Sequence, residues 1–409
     1  MTSIKVDRRV RRWAEQRWLT DATLRASGVE LASKATAGGV DSIGDFQSVA
    51  RRIKKFDDMH RELAAQARKR EARAAAFEQQ DRPVSARESY IIASLLWSAA
   101  QWPLFEINDD YTAYEEAMNR TYGRFVRLMD RPIERIEIPF GGKSLPGYLH
   151  LPHVPAVGER FPLVIAIGGL DTNKETQVAI YGDRCLARGM AVFAYDGPGQ
   201  GEAIARGLFV TPDNHGDAAA AAVDTIARHP AVDPERIAIR GNSFGSYFGT
   251  VASARLGSRI KAFAAAGICQ EPMAYTLLHH APASYKQRLM FMSGHEEETE
   301  FDRMATGFDL RPIAPNIVAP YMIVAGAEDA LSPIAATREL FGLIRAPKRL
   351  VVYDGAGHGI RDSSAAQNGE EKTVVVADWL RDRLDGKPFA SESVWIDGAG
   401  RATATPYAE

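Results

Sequence analysis

The chain has 409 residues, enough for one large α/β domain and a smaller second unit. An apolar share of 45% and a charged share of 25% are ordinary for a globular enzyme, and 50 Lys and Arg against 52 Asp and Glu leave a formal charge of −2. That balance points to no nucleic-acid or membrane partner, and two cysteines, Cys185 and Cys269, exclude a disulfide framework; buried free thiols are expected.

The basic N-terminus (Arg8, Arg9, Arg11, Arg12) has no apolar stretch after it before Trp18-Leu19, so it does not read as a secretory signal. No run approaches the ~18 apolar residues of a membrane span, and a cytoplasmic, reducing setting is expected. From Val6 to about Tyr122 the pattern is helical. The charged segment Phe46–Gln79 carries Val49, Ile53, Phe56, Met59 and Leu63 at steps of three and four, which predicts an amphipathic helix with a solvated Arg/Lys face. Pro83 breaks it, and Ser85 with Glu88 forms a capping box for a helix over Ala86–Gln101 that Pro103 ends. A further helix is expected over about Tyr111–Met129. After Pro132 the period changes to two: Ile133–Phe140 reads as an edge strand answered by Leu145–Leu151 across Gly141-Gly142. Short apolar runs then alternate with helical stretches at Leu163–Ile167, Ala191–Tyr195, Ile237–Ile239, Ala262–Ala266, Tyr321–Val324 and Arg349–Tyr353. Strands of that length separated by helices predict a mostly parallel sheet covered on both faces. Beyond Asp385 the tail is expected to be loosely held except around Val394–Ile396.

Gly241-Asn242-Ser243-Phe244-Gly245 follows the strand Arg236–Arg240 and precedes a helix-like stretch, Tyr247–Arg255. In that strand–turn–helix setting G-x-S-x-G presents a serine on a strained turn at a helix N-terminus, where free N–H groups stabilise developing negative charge. A serine hydroxyl needs a base. His358 is the candidate, because it follows a strand in the Gly-rich turn Gly355-Ala356-Gly357-His358-Gly359; His279, His280 and His295 fall in an insertion and read as pocket, lid or plain surface residues. Asp329, in the turn after Tyr321–Val324, is the residue to orient that base, with adjacent Glu328 the alternative. The oxyanion hole would combine the N–H of Phe244 with one from Gly168-Gly169-Leu170, Leu170 first and Gly169 next. The run Asp196–Glu202 (DGPGQGE) has Glu202 where a dinucleotide fingerprint needs glycine, so it reads as a structural loop. No spacing suits a phosphate loop or a metal, and no cofactor is expected.

The segments IAIGGLDTNKE, FAYDGPGQGE, RGNSFGSYFG, IVAGAEDALSP and YDGAGHGI, behind an all-helical N-terminal part, resemble one α/β-hydrolase branch. It includes 2,6-dihydroxypseudooxynicotine hydrolase, the fungal polyketide-shortening hydrolases and the FrsA-like esterases. The resemblance covers residues 10–385. It implies an α/β-hydrolase fold with a helical cap over the carboxyl edge of the sheet, walling the active site, and a homodimer. The expected organisation is a cap over 1–131, a catalytic domain over 132–385 with a possible lid insertion at 271–315, and a tail over 386–409. The resemblance further implies cleavage of a carbon–carbon bond next to a ketone in an aromatic or polyketide-like substrate. Carboxylester or lactone hydrolysis is the alternative, and a non-catalytic interaction protein on the same scaffold is the competing class. Some relatives use an extra acid beyond the strand after the elbow; Glu271 is the residue nearest that place. Trp97, Trp102, Phe105 and Tyr111 are candidates for the pocket wall, against the plainer reading of aromatics at helical spacing as core.

Overall fold

The computed structural model describes residues 37–181 and 184–407; the reading of the basic N-terminus lies outside the described residues. The described residues open with four helices: α1 (Val40–Ala50), α2 (Phe56–Gln79), α3 (Pro83–Gln101) and α4 (Asp109–Arg127). The single amphipathic segment expected from Phe46 to Gln79 is broken at 51–55. The physical reason is local: the Asp58 carboxylate accepts the N–H groups of Lys54 (3.1 Å) and Lys55 (2.8 Å), starting a new helix there. The expected Ser85 capping box is likewise displaced. Pro83 itself occupies the first helical turn, where its missing N–H costs nothing, so Ser85 lies inside the helix. Asn108 caps α4 by accepting from Tyr111 N–H at 2.9 Å.

The remainder builds a ten-stranded sheet. In chain order it comprises β1 (Ile133–Phe140), β2 (Lys143–His150), β3 (Phe161–Ile167), α5 (Gln177–Tyr181), β4 (Ala191–Tyr195), α6 (Gly201–Ala205), α7 (Asn214–Ile226), β5 (Val232–Ser243), α8 (Phe244–Leu256) and β6 (Ala262–Ile268). There follow α9 (Tyr275–His279), α10 (Ala283–Met292), α11 (Glu298–Ala305), β7 (Tyr321–Gly326), α12 (Ile334–Leu343), β8 (Lys348–Tyr353), α13 (Ser364–Asn368), α14 (Lys372–Leu384), β9 (Glu392–Ile396) and β10 (Ala402–Pro406). The spatial order is β1-β2-β4-β3-β5-β6-β7-β8-β9-β10, parallel from β4 to β9 with antiparallel pairs at both ends. β3, β4, β6 and β7 are buried along their whole length, as strands covered on both faces must be. One face packs against Ile226, Phe248 and Leu340 from α7, α8 and α12; the other packs against Trp379 and Leu380 from α14. Each such side chain contributes about 1.5–3 kcal/mol on burial.

Val394–Ile396 lie in β9, where the sequence reading excepts them from a loose tail, and that loose tail is corrected at Ala402–Pro406. β9 adds in parallel to β8, and β10 returns along it, so residues 392–406 complete the sheet. Val394 and Ile396 bury against the α14 side, and Arg401 closes the turn by ion-pairing with Asp397 at 2.8 Å.

The sheet order reverses around β3, which leaves a crevice at the carboxyl ends of β3, β4 and β5. The helical part docks on the loops there. Asn173 Nδ2 donates to Ser98 Oγ (3.1 Å), and Tyr111 OH donates to Gly201 O (3.3 Å). Buried Lys174 lies 2.7 Å from Glu175, 3.0 Å from Asp196, 3.1 Å from Glu202 and 4.0 Å from Glu115 of α4. Burial raises the Glu115 carboxyl and pushes Glu175 up to about 8, with Lys174 opposing in both cases. Among the described residues no helix is long and apolar enough to cross a membrane.

Candidate active site

β5 runs directly into α8 through Ser243, which adopts φ 55 and ψ −129, a left-handed conformation that a non-glycine residue holds at a cost of about 1–3 kcal/mol. The turn is tight enough to need its glycines. A Cβ on Gly245 would stand 2.4 Å from Ile167 O, and one on Gly241 would stand 2.1 Å from Gly245 O. In return, the serine hydroxyl emerges at the crevice above the N-terminus of α8.

The loops after β7 and β8 complete the arrangement. His358 Nε2 is 2.9 Å from Ser243 Oγ, and His358 Nδ1 is 2.8 Å from Asp329 Oδ2. The other Asp329 oxygen accepts the N–H groups of Leu331 (2.8 Å) and Ser332 (3.1 Å), so the fully buried carboxylate is fixed at three points. Glu328, the adjacent acid, is exposed, and its backbone N–H bonds Ala356 O at 2.9 Å and ties the two loops together. Cys269 Sγ lies 3.9 Å from Ser243 Oγ. Burial, with the Asp329 charge nearby, holds this thiol well above its usual range, so it stays neutral.

The Gly168–Leu170 loop lies against the elbow: a Cβ on Gly169 would sit 3.1 Å from Ser243 Cβ and 3.2 Å from Phe244 N. The Gly169 N–H donates to Thr172 Oγ1 at 3.0 Å, which removes Gly169 as a donor to a bound oxygen. The Leu170 N–H meets no acceptor among the described residues, and Phe244 opens a helix, where N–H groups have no intrahelical partner. Both N–H groups are thus left without a protein acceptor in the two loops that meet at Ser243.

A cleft of about 840 Å³, counting its open mouth, lies over Ser243 and His358. Leu170, Ile180, Leu277 and Leu331 supply apolar walls, Tyr181 and Tyr285 phenols, and Asp171, Arg361 and Lys372 charge. Burial, with Arg361 nearby, brings the Lys372 ammonium down to about 7, and its Nζ donates to Gly359 O at 2.7 Å beside His358. The pocket residues expected from the helical segment are elsewhere. Trp97 packs on Tyr114, Trp102 and Phe105 pack with Phe56, and Tyr111 meets Phe291, so these rings fill the cap's own core and its seam. Glu271 caps a turn by accepting Thr276 N–H at 2.7 Å, and His279 and His280 flank the exposed ring of Tyr275. None of these seven lines the cleft. Among the described residues the lining comes from the α/β part and its 271–315 insertion, and none of it from the helices over 40–127. Leu277 and Tyr285 carry no local motif, whereas Asp171 stands inside the GGLD run, a signal visible in the sequence. Among the described residues no group of three or more His, Cys, Asp or Glu is placed to hold a metal ion.

Comparison with known proteins agrees with this architecture. The α/β hydrolase ucsC of an Acremonium species is 30% identical over 260 residues, covering 58% of this chain and 51% of that protein. The 20-hydroxy-prefusarin hydrolase FUS2 of Gibberella moniliformis is 32% identical over 232 residues, covering 54% of each chain. The chain thus spans about half the length of these relatives. Among solved structures, 2,6-dihydroxy-pseudo-oxynicotine hydrolase superposes with a TM-score of 0.73 at 24% identity, covering 87% of this chain and 96% of that one, which establishes the shared fold. The sequence model described as "Esterase FrsA-like" matches residues 60–294, more than half of the 409. With that match across most of the helical segment and the Gly241–Gly245 turn, the chain belongs to the FrsA-like esterase family.

Proposed function

We propose that the chain is a serine hydrolase that cleaves a carbon–carbon bond adjacent to a ketone in an aromatic or polyketide-like substrate. The observation that carries the reading is the unbroken relay of 2.9 Å from Ser243 Oγ to His358 Nε2 and 2.8 Å from His358 Nδ1 to Asp329. Ser243 attacks the carbonyl carbon while His358 takes its proton, and Asp329 stabilises the imidazolium. The Phe244 and Leu170 N–H groups receive the developing oxyanion. His358 then protonates the departing carbon, and water, deprotonated by the same histidine, releases the acyl group from Ser243. A carbon leaving group needs an electron sink of its own, such as a second carbonyl or a phenolic ring. The names of the relatives, a prefusarin hydrolase and a pseudo-oxynicotine hydrolase, favour such substrates.

Ester hydrolysis is the second reading, favoured by the esterase description of the family. We take residues 37–131 as a cap that stabilises the loops beneath it, and the resemblance also supports a homodimer, which light scattering on the purified chain would read. Turnover of an aromatic 1,3-diketone against a p-nitrophenyl ester separates the two chemistries. A fluorophosphonate probe tests the premise they share: absence of labelling at Ser243 in folded protein would return the chain to a non-catalytic role.

A further inference from the structure

We propose that Gln200 is a positioning residue for the oxyanion hole: its side-chain amide turns the Gly169–Leu170 peptide so that the Leu170 N–H faces the oxygen bound beside Ser243. The inference rests on the reading of Ser243 as the nucleophile.

Gln200 belongs to the DGPGQGE loop after β4 and lines no part of the cleft. Its side chain is buried, and Nε2 donates to Gly168 O (2.7 Å) and Gly169 O (3.0 Å). The Gly169 carbonyl and the Leu170 N–H are the two ends of one peptide plane. That peptide is trans, so the C=O and the N–H point in opposite directions, and gripping one end aims the other. The amide is itself held in one orientation, because Oε1 accepts the Gly197 N–H at 3.1 Å. Turned over, it would set an oxygen against two carbonyls and an NH₂ against an N–H.

The peptide on the other side of Leu170 is also held, since Arg288 Nε donates to Leu170 O at 3.1 Å. The loop that carries Gln200 is anchored in turn: the Asp196 carboxylate accepts the backbone N–H groups of Lys174 (2.7 Å) and Glu202 (3.1 Å). A donor fixed in this way meets the oxyanion without reorganising, which is the source of its catalytic value. The glycines of the 168–169 turn leave that backbone free to rotate, and the buried amide removes the freedom.

The test uses Gln200→Leu, similar in size but without hydrogen bonds, with a p-nitrophenyl ester and its thiono analogue. Sulfur accepts hydrogen bonds poorly, so the ratio of oxo-ester to thiono-ester turnover reports the N–H donors themselves. We expect kcat on the oxo-ester to fall about 10- to 100-fold, less than the loss of a whole donor. KM should stay within about twofold, and the oxo/thiono ratio should drop with kcat. An unchanged ratio, whatever happens to overall activity, would make Gln200 merely structural and overturn the proposal. If the leucine variant does not fold, Gln200→Glu answers in its place: its deficit relative to wild type should deepen from about pH 5 to about pH 9 as the carboxyl loses the one proton it can donate. A deficit constant across that range overturns the proposal equally. Wild-type protein that is folded but neither turns over the ester nor labels at Ser243 would fail at the underlying reading, a result distinct from either of these.

Discussion

Asp329→Asn is the sharpest probe of the arrangement, because the structure dictates which way the new amide must face. Asp329 Oδ1 accepts two backbone N–H groups, from Leu331 and Ser332, while Oδ2 faces His358 Nδ1. An asparagine keeps its oxygen on the two N–H donors and so turns its NH₂ toward Nδ1. The imidazole must then accept at Nδ1 and carry its proton on Nε2, the nitrogen 2.9 Å from Ser243 Oγ. In that tautomer it cannot take the serine proton. Restoring the active form means flipping the amide and leaving two buried N–H groups facing an NH₂, at about 1–3 kcal/mol each. The sum, about 2–6 kcal/mol, corresponds to a loss between about 30-fold and about 3 × 10⁴-fold, and we expect about 10³-fold in kcat. Steady-state hydrolysis of a p-nitrophenyl ester measures it, with KM expected within a few-fold of wild type and a thermal melt confirming the fold. A folded variant that keeps more than a tenth of wild-type kcat would mean that His358 is not oriented by this carboxylate.

Three further outcomes follow from the packing and charge. Gly245→Ala drives a Cβ to 2.4 Å from the Ile167 carbonyl, and backbone cannot step aside as a side chain can. We expect a loss of about 1–3 kcal/mol or more in urea unfolding, and a change below half a kcal/mol would contradict the tight elbow. Burial pushes the Glu175 carboxyl up to about 8, against the attraction of Lys174. The folded chain then keeps a proton that the unfolded chain releases near its ordinary pKa of about 4.3. That contribution to stability is full below about pH 4, declines as pH rises, and levels off above about 8. Melting curves of Glu175→Gln should show a shallower decline over that window, and identical slopes would refute the assignment. Trp97→Ala should cost about 3–5 kcal/mol of stability while leaving KM unchanged, since the ring packs within the cap, whereas Leu277→Ala should change KM for bulky substrates. The reverse pattern would return Trp97 to the pocket wall.

The features readable from the amino-acid order are those whose physics is local. Ser243 was legible because a strained serine turn demands small residues on both sides, and Gly241 and Gly245 supply them. Asp329 and His358 were legible because each stands a few residues beyond an apolar strand, and strand ends are where this topology gathers side chains. The hairpin at Gly141-Gly142 and the run of buried strands followed from period and turn chemistry. The remaining features depend on which surfaces meet once the chain is packed. The rings of Trp97, Trp102, Phe105 and Tyr111 have the same periodicity whether they face a substrate or their neighbours, and only the packed bundle turns them inward. Leu277 and Tyr285 reach the cleft from an insertion with no motif, and the tail joins the sheet because β8 offers β9 a free edge. Gln200 shows the boundary between the two. Its loop was visible as a rigid turn, but its grip on the Gly168 and Gly169 carbonyls joins segments 31 and 32 residues apart, and only folding brings them within 3.0 Å.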